Sequence, residues 1–203
     1  MKKDYLKDIE DIKMMMNKSS QFLSLSGLSG IMAGIYALAG AIASKYIYNL
    51  NYGSYITLES TSFKAIVGIA MLVLLLSVLT AYVLTAVKTK KRGETVWNST
   101  SKRLLINFLI PLITGGIFIL LLLKNRYYGL ISPVTLIFYG LACVNASKYT
   151  LRDVRYLGIT IIIIGLLATM IMGYGLEFWA LGFGVCHILY GSIMYFKYDR
   201  KEQ

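Results

Sequence analysis

From Ser24 to Ala43 the chain runs twenty residues without a charge, SLSGLSGIMAGIYALAGAIA. A helix of about 20 apolar residues crosses the ~30 Å hydrocarbon core of a bilayer. In lipid a spanning segment must satisfy its own backbone, so such a run is read as a transmembrane helix. Five more apolar runs follow it. The spans are expected at about 22–43, 65–87, 104–123, 133–146, 156–172 and 178–196. Ser132 and Pro133 open the fourth as N-cap and first helical residue. Ala41-Ile42-Ala43 resembles a signal-peptidase site, but the partly acidic lead-in and the length of the apolar run favour a retained helix.

Only 15% of the 203 residues are charged and 57% are hydrophobic, against roughly 25% charged residues in soluble domains. The expected fold class is therefore all-α, a polytopic membrane protein of six transmembrane helices over residues 21–203. The short alternating strands of an outer-membrane barrel are absent.

The positions of Lys and Arg orient the spans. The segments at the N-terminus, after the second and fourth spans, and at the C-terminus hold five, six, three and three of them. The alternate segments hold two, two and none. By the positive-inside rule, both termini are expected in the cytoplasm of a multi-pass inner-membrane protein. The net charge of +11 is thus expected to meet anionic lipid of the bilayer, with no nucleic-acid partner. Residues 1–20 carry Tyr5, Ile9, Ile12 and Met16 at helical spacing. They are expected to form a cytoplasmic amphipathic helix, either a solvated lead-in or the docking site of a protein partner.

Residues 35–46, IYALAGAIASKY, match residues 138–149, FYGLACVNASKY, at seven of twelve ungapped positions. These are the ends of the first and fourth spans. A 3+3 inverted repeat would relate them by a pseudo-two-fold axis, an architecture common among transporters.

Gly30, Gly34, Ala37 and Ala41 recur along one side of the first span. Small residues let helix backbones approach in lipid, where little hydrophobic force acts between helices. The expected use is packing within the chain, and a homodimer seam is the alternative.

Polar residues inside the spans are the candidate contacts for a solute. Pro111 cannot donate to the carbonyl of Asn107, which leaves an acceptor near Thr114 in a helix expected to bend. Thr80, Thr85, Asn107 and Asn145 fall with Ser24, Ser26 and Ser29 in the expected cytoplasmic half of their spans. Facing one another, they would line a polar cavity. His187, the single histidine, lies mid-span. It is either functional or a neutral imidazole bonded to a hydroxyl on a facing helix. Cys143 and Cys186 form no CxxC pair or zinc-ligand spacing. No catalytic motif stands in a suitable context, so no enzyme, cofactor or metal is expected.

SSQFLSLSGLSGIMAGIYALAGA and FYGLACVNASKYTLRDVRYLG resemble a family of small bacterial integral membrane proteins with no established activity. The likeness extends over most of the chain. It implies a bacterial inner membrane and assigns no functional residue. The expected function is a non-enzymatic sensory or accessory membrane module acting through a partner. The alternative is a small carrier or channel for a neutral or weakly polar solute.

Overall fold

The computed structural model describes Phe22 and residues 25–50, 60–93 and 95–200. The helix expected over residues 1–20, and Ser24, lie outside the described residues. Among the described residues there are helices and no strands. The spanning helices are α1 (Gly27–Leu50), α2 (Thr61–Lys91), α3 (Ser99–Lys124), α4 (Ile131–Ala146), α5 (Asp153–Met170) and α6 (Gly175–Asp199). Short 3-10 turns at Tyr128–Leu130 and Ser147–Tyr149 flank α4. All six are long and apolar enough to cross a membrane.

Local chemistry sets the helix ends. Ser60 caps α2 by accepting from the Phe63 amide. Asn98 and Ser101 form a reciprocal capping box at the start of α3. Such pairs satisfy amides that have no partner within the helix. α3 ends with Arg126 at φ 63°, while the amides of Arg126 and Tyr127 reach back to the carbonyls of Leu123 and Leu122. This is a Schellman closure with arginine where glycine is usual.

Several helix ends differ from the expectation, and two of them have a visible cause. α1 continues past residue 43 to Leu50, because Ser44 is buried and Lys45 is paired 2.9 Å from Glu177 on α6. Tertiary contacts thus extend a helix beyond its apolar run. Ser132 is not the N-cap of α4. The preceding 3-10 turn carries the chain into the helix, Leu130 stands at the cap, and the Ser132 hydroxyl donates to the Gly175 carbonyl at the start of α6.

α6 lies between α1 on one side and the α4–α5 pair on the other; α2 packs on α1 and α3 packs on α4. The core is therefore off-centre. It is built from Leu136 of α4, Leu157, Ile161 and Ile164 of α5, and Cys186 of α6. α2 and α3 present broad apolar surfaces outward. Such surfaces suit lipid, which hydrophobic side chains need not avoid.

Glycine faces make the two closest crossings. A Cβ on Gly34 would meet the Gly184 carbonyl of α6 at 2.6 Å, and one on Gly191 would meet the Ile31 amide of α1 at 2.6 Å. Gly140 of α4 and Gly158 of α5 face each other in the same way: a Cβ on either would lie within 2.7 Å of the other's carbonyl. The face containing Gly34, Ala37 and Ala41 is buried within the chain, and Gly30 lies against Gly191. The small-residue side of α1 is thus filled largely by α6.

Contacts between helix ends define two ends of the bundle. At one end lie the start of α1, the end of α2, the link between α4 and α5, and the end of α6. At the other, the end of α1 and the starts of α4 and α6 meet through Lys45–Glu177 and Ser132–Gly175.

Candidate functional site

His187 is buried between α6 and α4. Residues Ala180–Val185 of α6 take the wider π-helical form, a distortion often found at functional sites. The Gly182 carbonyl, five residues back, lies 3.1 Å from His187 Nδ1. A carbonyl can only accept, so Nδ1 holds the proton. Nε2 then accepts from the Tyr139 hydroxyl at 2.7 Å. Both ring nitrogens are satisfied by neutral partners. Phe183 stacks on the imidazole at 6.0 Å and also packs on Tyr139 and Trp179. The histidine belongs to an aromatic cluster with its polar edges closed.

Asn107 and Asn145 also come together. Asn145 Nδ2 donates to the Asn107 backbone carbonyl at 2.8 Å. This is the acceptor that Pro111 cannot serve, so α4 supplies the donor that α3 lacks. The Asn107 side chain turns back to the Arg103 carbonyl at 2.8 Å. Thr114 is exposed and donates to Ile110 within its own helix. Thr80 lies 3.3 Å from the Tyr36 hydroxyl of α1, and Thr85 is buried on α2. The six residues therefore fall into four places: His187 in the aromatic cluster, the Asn107–Asn145 pair, Thr114 on the outer face, and Thr80 and Thr85 along α1–α2. None of them lines either of the two grooves at the ends of the bundle.

Sequence reasoning missed the charged cluster where the start of α1 meets the ends of α2 and α6. Asp199, in the last turn of α6, accepts from Lys88 Nζ of α2 at 2.6 Å through one oxygen. Its other oxygen accepts from the Gly27 amide at 2.9 Å and the Ser26 hydroxyl at 3.2 Å. A carboxylate here meets the positive end of α1 and an amide that has no partner within that helix. Asp199 thus caps α1 from another helix. The ion pair is nearly buried, with side-chain exposures of 13% and 11%. Lys88 also donates to the Leu25 carbonyl at 3.3 Å.

Two residues earlier, Lys197 grips Asp153 in the first turn of α5, at 3.0 and 3.2 Å. One π-helical turn, Tyr195–Asp199, therefore binds α6 to α5 through Lys197 and to α1 through Asp199. Beside it, the segment before α1 is strapped to the α4–α5 link. The Phe22 amide donates to the Tyr149 carbonyl at 2.7 Å, and the Thr150 hydroxyl donates to the Phe22 carbonyl at 2.8 Å. The one sequence signal for this cluster is an acid, Asp199, set among the basic residues of the C-terminal segment.

Among the described residues, all three acids, Asp153, Glu177 and Asp199, are ion-paired. No three His, Cys, Asp or Glu residues there stand close enough to hold a metal ion. A groove of about 290 Å³ opens beside the Lys88–Asp199 pair, between α1, α2 and α6. The arrangement can hold helix ends in fixed relation and can present cations at one end of the bundle. No protein-family model matches the chain, and no curated protein or solved structure matches it.

Proposed function

We propose that this chain is a non-enzymatic accessory or sensory module of a bacterial inner membrane, with both termini in the cytoplasm and residues 1–20 presented to a protein partner. One observation carries this reading. The intramembrane groups best suited to meet a solute, His187 and the Asn107 carbonyl, are bonded to other helices of the same chain. A carrier needs such groups open to a path through the bilayer. A module needs a rigid body and an exposed segment fixed to it. The strap at Phe22 supports that second requirement, because it ties the chain just after residues 1–20 to the α4–α5 link. Orientation rests on the Lys and Arg bias, and the bacterial membrane on the resemblance of the first and fourth spans.

The 3+3 repeat belongs to the same proposal. α1 packs on α2 and α6, and α4 packs on α5 and α3. Each leading helix thus neighbours the second helix of its own unit and the third helix of the other. In this reading the duplication is a folding device, and it holds α1 and α4 inside their neighbours.

Two measurements test the proposal. Proteoliposomes containing the protein should show no saturable uptake of small neutral solutes above protein-free vesicles. Saturable flux that falls in His187→Ala would replace this reading with the carrier. In cells, photo-crosslinkers placed in residues 1–20 should capture one defined protein in stoichiometric yield. Capture unaffected by scrambling residues 1–20 would remove that segment as the docking site.

A further inference from the structure

The match between residues 35–46 and 138–149 sets Ser44 against Ser147 and Lys45 against Lys148. Both serines are buried. The two lysines meet different surroundings. Lys45 reaches the first turn of α6 and pairs with Glu177 at 2.9 Å. Lys148 stands in the turn Ser147–Tyr149, which packs on α3. α3 and α4 run antiparallel, with Phe118 against Phe138 and Asn107 against Asn145. This register puts Lys148 level with Arg103 and Leu104, about one turn before Asn107. Where α6 offers Lys45 a glutamate, the start of α3 offers Lys148 two more cations, Lys102 and Arg103. All three cations are exposed. None of them lies within ion-pair distance of a described acid, and Asp153 in the same link is held by Lys197. The segment before α1 arrives at the same corner, because the Phe22 amide donates to the Tyr149 carbonyl, next to Lys148.

We propose that this corner, Lys102, Arg103 and Lys148, binds a carboxylate-rich segment of the protein that meets residues 1–20. The inference rests on the module reading and gives the partner a chemistry. Orientation of the spans accounts for cations at this end. It does not call for three at one level of the α3–α4 pair with no acid among them. Like charges so placed repel one another, and an entering anion relieves that repulsion. The twin lysine shows which anion such a place takes within this chain, a carboxylate.

The test is fluorescence anisotropy with the purified full chain in neutral detergent. The probes are a labelled peptide alternating Glu and Gly and its twin with Gln for Glu. The Glu peptide should bind and the Gln twin should not. Lys102→Ala with Lys148→Ala should weaken binding about tenfold, a few-fold for each exposed pair. Lys90→Ala with Lys91→Ala takes the same charge from the end of α2 and should leave binding within about twofold. Lys102→Glu sets an acid where α6 has Glu177, and should weaken binding more than Lys102→Ala. Every changed side chain is exposed, and an unaltered melting midpoint shows that each variant is folded. Equal binding of the two peptides, or equal loss in the two double variants, would overturn the site. Phosphatidylglycerol that displaces the peptide, and is itself weakened by Lys102→Ala with Lys148→Ala, would give the corner to lipid and overturn the proposal. Tighter peptide binding in Glu94→Gln, or after removal of residues 1–20, would overturn it by making an acid of this chain the occupant. These readings use purified protein alone, so they fail separately from the flux and crosslinking that test the module.

Discussion

Pro111 removes one amide hydrogen from α3, and Asn145 supplies another from α4. A buried acceptor left without a donor costs about 1–3 kcal/mol, so the two residues are energetically coupled. Asn145→Ala should destabilise the protein by about that amount, measured by unfolding in mixed micelles. Pro111→Ala restores the missing amide to the Asn107 carbonyl. In that background Asn145→Ala should cost at least ~1 kcal/mol less. Additive effects of the two changes would show that the proline and the asparagine do not share the acceptor. Half of this pair was legible in the sequence. Proline chemistry identifies the deprived carbonyl, because the relation is local and fixed at four residues. Its donor comes from 38 residues away, and no periodicity reports that. His187 is similar. Its burial follows from its place in an apolar run, but only the fold brings Tyr139 to Nε2.

Among the helices, glycine decides which pairs approach most closely. Gly191 and Gly68 are both glycines inside apolar helices, yet their surroundings are opposite. A Cβ on Gly191 would strike the backbone of α1, with the Ile31 amide at 2.6 Å and the Gly27 carbonyl at 2.8 Å, whereas one on Gly68 would meet nothing within 4 Å. Gly191→Ala should therefore destabilise by about 1–3 kcal/mol through overpacking. Gly68→Ala should stabilise by about 0.5 kcal/mol by removing the entropy of a helical glycine. Thermal unfolding in detergent distinguishes them, and loss of stability in both would show that clash is not the cause. The small-residue side of α1 could be read in advance because Gly30, Gly34, Ala37 and Ala41 recur at helical spacing. Its partner could not, since Gly184 and Gly191 sit in a helix with a similar content of glycine and apolar residues. Span positions were legible from charge and hydropathy. Helix ends were less so: α1 runs on through Ser44 and Lys45 because a glutamate on another helix holds that lysine.

For the molecule as a whole, the charged cluster at the start of α1 and the end of α6 matters most. Lys88 and Asp199 lie 111 residues apart and are nearly withdrawn from solvent. Removing one member of such a pair is costlier than removing both, because an uncompensated charge stays behind. Asp199→Ala should lower stability by about 3 kcal/mol, and Lys88→Met combined with Asp199→Leu should recover much of that loss. The check is a double-mutant cycle on unfolding midpoints. A double variant as unstable as the sum of the singles would mean that Asp199 acts chiefly as the cap of α1 and not as the partner of Lys88. This cluster was hidden from sequence reading because lysine at a span end already had an explanation. Positive charge there orients the helix, and nothing local signals that one such lysine is also an internal ligand.

The packing of α1 against α6 has a consequence for biogenesis. A ribosome makes about 5–20 residues per second, and Gly191 follows Gly30 by 161 positions. The first helix therefore waits roughly ten to thirty seconds in the bilayer before its closest neighbour has been synthesised. During that interval its glycine side is open to other small-residue helices, and an insertase or membrane chaperone has its best opportunity to shield it. The contact of α1 with α6, and the cap that Asp199 gives to the start of α1, can form only once α6 has been made.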